Sequence, residues 1–333
     1  MTGFNAVVYP WQQGLWQHLI GYVRQQRMPQ ALLFHGASGL GKRHLLDAFA
    51  QNLLCHALLP DLTACGVCSG CKLLSAGTHP DYLQIEPDEA GKGIGIDKIR
   101  QLIVKLALKP HFSVYRTVII QPADRLNKAS ANAFLKCLEE PTERTCFFLV
   151  TDQLAQLPAT IRSRCQILFC PIPGRNESLQ WLQQQGISEN ADNLLMLAQG
   201  APLRAWQDAK NDHLVRRDNC FVQWLQIVEG KTNGVDVAEQ WQRLAPYELT
   251  VLLNWIVGWV VDIIKLSYQV DVHLLQNQDK KKSLQALAER LELPQLYAFY
   301  DALLQARSQL DTQINKQLML EQLLIHWSQL KTG

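Results

Sequence analysis

The chain has 333 residues, 47% hydrophobic and 19% charged, so it carries enough apolar side chain to bury real cores, and wholesale disorder is excluded. Thirty-two basic residues against thirty acidic ones leave a formal charge of +2, which excludes attraction of nucleic acid or anionic membrane by a global field; such a contact needs a local patch. At about one domain per 100–200 residues, this length predicts two or three domains.

Met1 to Pro10 has no basic region followed by an apolar run and a small-residue cleavage site, so no secretory signal is read there and the expected location is the cytoplasm. Runs of strand length follow at Ala31 to Phe34, Leu83 to Ile85, Thr117 to Ile120, Cys146 to Val150 and Ile167 to Phe169. Their near-continuous hydrophobicity suits a parallel sheet buried on both faces. Between them helical periodicity predicts helices over His44 to Ala57, over Asp97 to Leu108 with Asp97 as N-cap, and over Ala129 to Glu139, stopped by Pro141. The alternation is a β/α pattern.

After Phe169 the strand signals end, and Pro171, Pro173 and Gly174 mark a boundary. Amphipathic helices rich in Leu, Gln and Trp follow, interrupted at Gly200 to Pro202, with a larger helical region from about Leu214 to Leu330. Leu249 to Ile264 is apolar but broken by Asn254, Gly258 and Asp262, and falls short of the roughly 20 residues of a spanning helix, so a buried core helix is expected. The Lys280 to Lys282 run reads as a solvated loop or helix start. The expected fold class is α/β plus all-α in three parts: an α/β domain, a small helical domain and an all-helical C-terminal domain.

Gly36-Ala37-Ser38-Gly39-Leu40-Gly41-Lys42-Arg43 lies between the first strand and a helix, the context of a phosphate-binding loop. Glycines let backbone N–H groups converge on an anion, the helix N-terminus adds partial positive charge, and Lys42 can reach the outer phosphates. The final position should carry a Ser or Thr hydroxyl for magnesium, and Arg43 stands there instead, a group that donates only. The later strand ends Val118-Ile119-Ile120-Gln121-Pro122, with an amide and a proline where metal-holding and water-orienting carboxylates belong. Hydrolysis is therefore not expected, while nucleotide binding stays open, as does whether Arg43 blocks the site or neutralises a nucleotide.

Nine cysteines divide into two groups. Cys137, Cys146, Cys165, Cys170 and Cys220 are scattered and read as core thiols. Cys65, Cys68 and Cys71 form two consecutive Cys-x-x-Cys steps, with Gly66 and Gly70 freeing the turn, and Cys55 is the natural fourth ligand, ahead of His56 and His79. Four thiolates leave no open position, so a structural zinc site is predicted.

A further constellation runs from Ser130 through Leu138-Glu139-Glu140-Pro141 to Ser163-Arg164-Cys165. An arginine there, downstream of a degenerate phosphate loop, suggests an arginine finger acting on a neighbour's phosphate. With the phosphate loop, the cysteine set, Tyr9-Pro10-Trp11 and Ala76 to Tyr82, these elements resemble the clamp-loader branch of the AAA+ family of bacterial DNA polymerase III, and within it the delta-prime type. The specific motifs lie in the first ~170 residues, and the remainder matches in layout.

The resemblance implies an AAA+ domain over 1–169 with an inserted zinc module at about 55–71, a helical lid over 170–212, and an oligomerisation collar over 213–333. It implies a five-subunit ring in which gamma/tau-type motor subunits bind ATP, a delta subunit opens the sliding clamp, and this type of chain does not hydrolyse ATP. Arg164 would carry the finger role in trans. Arg204 falls near the family's second nucleotide-sensing arginine, with Pro202 departing from the pattern. The ring's inner face tracks primer-template DNA, and Lys92 to Lys128 holds eight basic residues against two acids, so Lys98 and Arg100 are candidate phosphate contacts or simply a solvated helix face. Two other readings remain: a self-sufficient ATPase with an unusual metal shell, and a nucleic-acid-binding zinc finger, which lacks a basic recognition helix and His pair after Cys71.

Overall fold

Alternation within the apolar runs decides the layering of the first half of the chain. The structure is a computed structural model that describes residues 6–89, 92–110, 115–211, 213–244, 246–310 and 315–330, without the side chains of 246 and 247. Strands β1 (Ala31–His35), β2 (Tyr82–Ile85), β3 (Arg116–Ile120), β4 (Thr145–Thr151) and β5 (Gln166–Phe169) form one sheet in the order β2-β3-β4-β1-β5. Every pairing is parallel, and Leu33 stands opposite Leu149 on one side and Ile167 on the other. All five predicted strands are present, each one or two residues longer than its apolar run.

Helices α1 (Gln13–Arg24), α2 (Lys42–Leu54), α3 (Ser69–Ser75), α4 (Ile96–Leu106), α5 (Lys128–Glu139), α6 (Ala159–Arg162) and α7 (Arg175–Gln184) accompany the sheet. Because successive strand residues face opposite ways, Leu33, Val118, Phe147 and Leu149 pack with Ile99 and Leu102 of α4, Phe134 of α5 and Ile161 of α6. Leu32, Phe34, Ile119 and Phe148 pack on the other face with Trp16 and Leu19 of α1 and Phe49 of α2. Burial on both faces makes β1, β3 and β4 read as unbroken apolar runs, whereas on the edge strand β5 Ile167 and Phe169 are exposed, because among the described residues no further strand and little helix covers that edge.

Five of the six predicted helix ends shift by one to three residues, and two of the shifts have a visible cause. Asp97 is not the N-cap of α4; Gly95 is, and Asp97 sits in the first turn, 3.1 Å from Arg100. Buried Ile94, bridged to Leu126, fixes the preceding backbone, so the chain turns helical directly after Gly95. Helix α2 ends at Leu54 rather than Ala57, because Cys55 adopts an extended conformation (φ −76°, ψ 131°).

The chain divides into two compact units: residues up to Gln185 with Gly200–Arg204, and Gly186–Gln199 with everything from Ala205 onward. The second unit is helical, with α8 (Ala191–Leu197), most of α9 (Pro202–Lys210), α10 (His213–Val228), α11 (Gly234–Trp241), α12 (Pro246–Ser267), α13 (Lys281–Ala288), α14 (Leu293–Gln309) and α15 (Lys316–Ser328). Its core centres on aromatic rings. Trp224 of α10 stacks on Trp327 of α15 with centroids 4.0 Å apart, and Trp259 of α12 packs on Trp224 and Phe221 at 5.2 and 4.9 Å.

Helix α12 is long and apolar enough to cross a membrane by length and composition, with mean hydropathy 1.8 over Glu248–Ser267. Its Leu249, Leu253, Ile256, Trp259 and Ile263 are buried in the unit's own core, as expected of a core helix. The same unit buries a polar network. Arg217, 1% exposed, donates twice to the Asp279 carboxylate (2.8 and 3.0 Å) and once to Asn277 Oδ1 (2.8 Å). Fully buried Asp262 accepts from the backbone amides of Gln276 and Asn277 and from Asn277 Nδ2. Lys281 opens α13, and Lys280 before it pairs with Asp218 at 2.7 Å.

Candidate functional site

All strands being parallel, the C-terminal ends of β1, β3 and β4 lie along one edge of the sheet, the edge where ligands bind in open α/β folds. The loop Gly36 to Gly41 leaves β1 there and enters α2. Gly41 is the helix N-cap at φ +79°, and a Cβ on it would lie 2.7 Å from the Tyr9 ring, so both conformation and space demand glycine.

Lys42 points back into the loop and is 4% exposed. Its Nζ donates to the carbonyls of Gly36 (2.8 Å) and Ala37 (2.6 Å) and lies 2.7 Å from Asp152 Oδ1, just past β4. Arg43 is held as firmly. Nε donates to Asp47 at 2.9 Å, Nη1 to Glu86 at 2.7 Å and to Gln121 at 3.4 Å, and Nη2 to the Tyr82 hydroxyl at 3.3 Å. Burial alone would push the Arg43 pKa down, but Asp47, Tyr82 and Glu86 overcome this and hold it above its ordinary value. Burial raises the Tyr82 phenol, whose hydroxyl donates to Asp47. A cationic guanidinium and the Gln121 amide thus meet where a magnesium shell would need oxygen acceptors.

The loop is covered from two further directions. Trp11 Nε1 and Gln12 Nε2 both donate to Leu40 O, at 3.0 and 2.9 Å. Tyr9 stacks on Trp11 with centroids 5.0 Å apart, and Trp181 of α7 meets both rings edge-on. On the other side Leu203 N donates to Gly39 O at 3.2 Å, and a Cβ on Gly39 would meet the Cβ and amide of Arg204 at 2.7 and 2.9 Å. Arg204 therefore meets the phosphate loop through its backbone and Cβ. Sequence reasoning picked out the loop but missed Asp47, Tyr82, Glu86, Asp152 and Trp181. A position just past a buried parallel strand, as for Glu86 and Asp152, was the available signal.

The second cluster joins the far end of α2 to α3. The Sγ atoms of Cys55, Cys65, Cys68 and Cys71 all lie within 4.8 Å of one another, and Cys55 Sγ is 3.6 Å from Cys65 Sγ and 3.9 Å from Cys68 Sγ. Sulfurs tetrahedral about zinc at 2.3 Å would be about 3.8 Å apart, so the four thiols fit a metal ion of that kind. Backbone N–H groups of Cys65, Cys68 and Cys71 point at the Sγ atoms of Cys55, Cys65 and Cys68 respectively, at 3.3–3.5 Å. Burial opposes ionisation of Cys68, but the amides of Cys71 and His56 and the neighbouring thiols bring it down to about 6. Gly70 lets α3 approach, since a Cβ there would lie 2.4 Å from Leu54 O. The two alternative ligands are engaged elsewhere: His56 meets Ser69 Oγ at 3.2 Å, and buried His79 accepts from the Asp81 amide at 3.1 Å.

Arg164 lies on the surface two residues beyond α6. Its Nη2 donates to Glu139 Oε1 at 2.6 Å and its Nη1 to Thr160 O at 2.9 Å. The basic residues of α4 are less alike than their spacing suggests. Lys98 Nζ lies 2.7 Å from Asp88 and also donates to Glu86 O, whereas Arg100 is 67% exposed and pairs with Asp97, which is 80% exposed. Arg116, counted in the same basic stretch, is buried against Asp81 and the carbonyls of Lys105 and Leu106.

Two family models match the chain: "DNA polymerase III, delta subunit" over residues 11–171, and "DNA polymerase III, delta subunit, C terminal" over residues 211–329. The DNA polymerase III subunit delta' of Pseudomonas aeruginosa is 35% identical over 98% of both chains. The subunit delta' of Escherichia coli is 30% identical over 95% of this chain and 94% of its own. Among solved structures, a DNA polymerase III gamma subunit-related protein of Thermotoga maritima is 18% identical, with TM-score 0.45 over 93% of this chain and 98% of its own. With a full-length relative at this identity and both halves matched by family models, the chain belongs to the DNA polymerase III subunit delta' family.

Proposed function

We propose that the chain is a non-hydrolysing subunit of a DNA polymerase III clamp-loader complex, which helps load the sliding clamp onto primed DNA and lends Arg164 to the ATP of a neighbouring motor subunit. The observation that carries this reading is a contrast between two sites. At the phosphate loop, Lys42 and Arg43 are satisfied by acceptors of their own chain, and a guanidinium stands where a cation would be needed. At Arg164, a guanidinium stands at the surface. Phosphoryl transfer depends on magnesium and placed positive charge, so the first site is unsuited to cleaving ATP and the second is suited to assisting cleavage elsewhere. The chain itself then has neither polymerase nor ATPase activity.

The cysteine cluster in this reading holds structural zinc, closed by four thiolates and without an open position for substrate. Residues 1–169 act as the AAA+ domain with the zinc module at about 55–71, 170–212 as the lid, and 213–333 as the collar of a hetero-pentamer with gamma/tau-type motor subunits and a clamp-opening delta subunit. The complex works in the cytoplasm. DNA contact falls to Arg100 before Lys98, because Lys98 is tied to Asp88 and Glu86 O.

The test mixes the chain with motor and clamp-opening subunits. A defined pentamer is expected, and Arg164→Ala should assemble normally while depressing DNA-stimulated ATP hydrolysis. Failure to co-assemble removes the reading, and ATP turnover by the isolated chain beyond a Lys42→Ala control would favour a self-sufficient ATPase.

A further inference from the structure

The Leu138 to Pro141 and Ser163 to Cys165 elements, 25 residues apart at their point of contact, are joined by the Glu139–Arg164 ion pair. We propose that Glu139 is a positioning residue that holds the Arg164 guanidinium in a charge-neutralised parked state, from which it must exchange onto a phosphate. The proposal rests on the reading of Arg164 as a finger acting in trans.

Both ends of the pair are fixed. Glu139 is the last residue of α5, where Glu140 leaves helical geometry (φ −124°, ψ 66°) and Pro141 follows. Arg164 follows α6, and α5 and α6 share one core through Phe134, Leu138 and Ile161. The pair therefore spans two packed helices and is not a chance meeting of loose loops. At 2.6 Å it lies at the short, charge-assisted end of nitrogen–oxygen contacts.

A guanidinium presents N–H donors in one planar fork that fits a carboxylate and a phosphate alike. While Nη2 faces Glu139, the two anions compete for it, and the carboxylate cancels the charge a phosphate would use. Thr160 O is neutral, so its bond to Nη1 sets direction without cancelling charge. The pair is 38% and 48% exposed. Exposed pairs are weak, so release is easy, and the expected effect of parking on a neighbour's ATP is about 2- to 5-fold. No covalent step is involved; one acceptor replaces another.

The experiment uses the assembled complex with Glu139→Gln, Glu139→Ala, Arg164→Ala and the Glu139→Gln/Arg164→Ala double variant. Both Glu139 variants should lower the apparent KM for ATP about 2- to 5-fold at low salt with kcat nearly unchanged, and the gain should shrink at high salt, where screening already loosens the pair. The double variant should match Arg164→Ala alone. An unchanged or raised KM in the Glu139 variants, with Arg164→Ala still depressing hydrolysis, overturns the parking proposal and leaves the finger reading intact. A gain that persists in the Arg164→Ala background also overturns it. If Arg164→Ala has no effect, the finger reading fails first.

Discussion

Lys42 Nζ lies 2.7 Å from Asp152 Oδ1 while it donates to Gly36 O and Ala37 O, so the three donors of the ammonium have three acceptors within the chain. A phosphate must displace Asp152 to reach it. Millimolar Mg-ATP should therefore raise the Tm of the isolated protein by less than about 1 °C, since a ligand stabilises only as its concentration exceeds Kd. Asp152→Ala, which frees one donor, should enlarge that shift; a wild-type shift of several degrees would show that the loop opens readily.

Restoring a hydroxyl at position 43 should not restore catalysis. Arg43→Thr removes a cation from Asp47, which is 1% exposed, while Gln121 and Pro122 still supply no carboxylate. Breaking a buried pair by removing one partner costs about 3 kcal/mol. At about 2–4 °C per kcal/mol for a unit of this size, Tm should fall by about 6–12 °C. Thermal melts check the first point and phosphate release the second.

The cysteine cluster predicts one bound metal ion per native chain by elemental analysis. Cys65→Ser and Cys71→Ser should each reduce that to near zero, and Cys137→Ser, outside the cluster, should not. Release to a chelator should speed up as the pH is lowered, because protons compete with the metal for thiolates. Freely titrating thiols in metal-replete native protein would contradict the site.

In the second unit, Asp279→Asn leaves buried Arg217 without its hydrogen-bonded countercharge and with the half-exposed Asp218 at 3.6 Å in its place. The expected loss is about 2–4 kcal/mol, below the cost for a fully buried pair because the Asp279 side chain is 26% exposed. Burial raises the Asp279 pKa, but the Arg217 hydrogen bond and the charges of Arg217 and Lys280 hold it below the ordinary aspartate value. A depressed carboxyl gives its full stabilisation above the unfolded value and loses it as pH falls through the folded one. Asp279→Asn should thus flatten the acid arm below about pH 4. Urea unfolding followed by tryptophan fluorescence at pH 7 and pH 3 measures both effects.

Sheet, phosphate loop and cysteine cluster were legible because each depends on local pattern: apolar strand runs, glycines at fixed spacing, thiols three positions apart. What surrounds the loop was not. The acceptors of Arg43 come from α2 and from positions on or just past β2 and β3, so only strand order brings Asp47, Glu86 and Gln121 together. The start of α4 failed for a related reason. Asp97 is the better capping residue by type, but the bridge from Ile94 to Leu126, 32 residues on, fixes the start of α4 after Gly95. Lys98 and Arg100 stood out among the eight basic residues of one stretch, but only the fold buries Arg116, ties Lys98 to Asp88 and leaves Arg100 outside.

Helix α12 matters for how the protein is made. Its apolar stretch ends at Ser267, while α13 and α14, the later helices packed against it, follow, and α14 ends at Gln309, 42 residues later. At about 5–20 residues per second, those residues take about 2–8 s to synthesise. Through that interval the nascent chain holds a segment with the length and hydropathy of a membrane span before the helices that cover it exist. Synthesis thus passes through a stage in which this apolar segment is complete and the core that buries it is not, and completion of α14 supplies the missing cover.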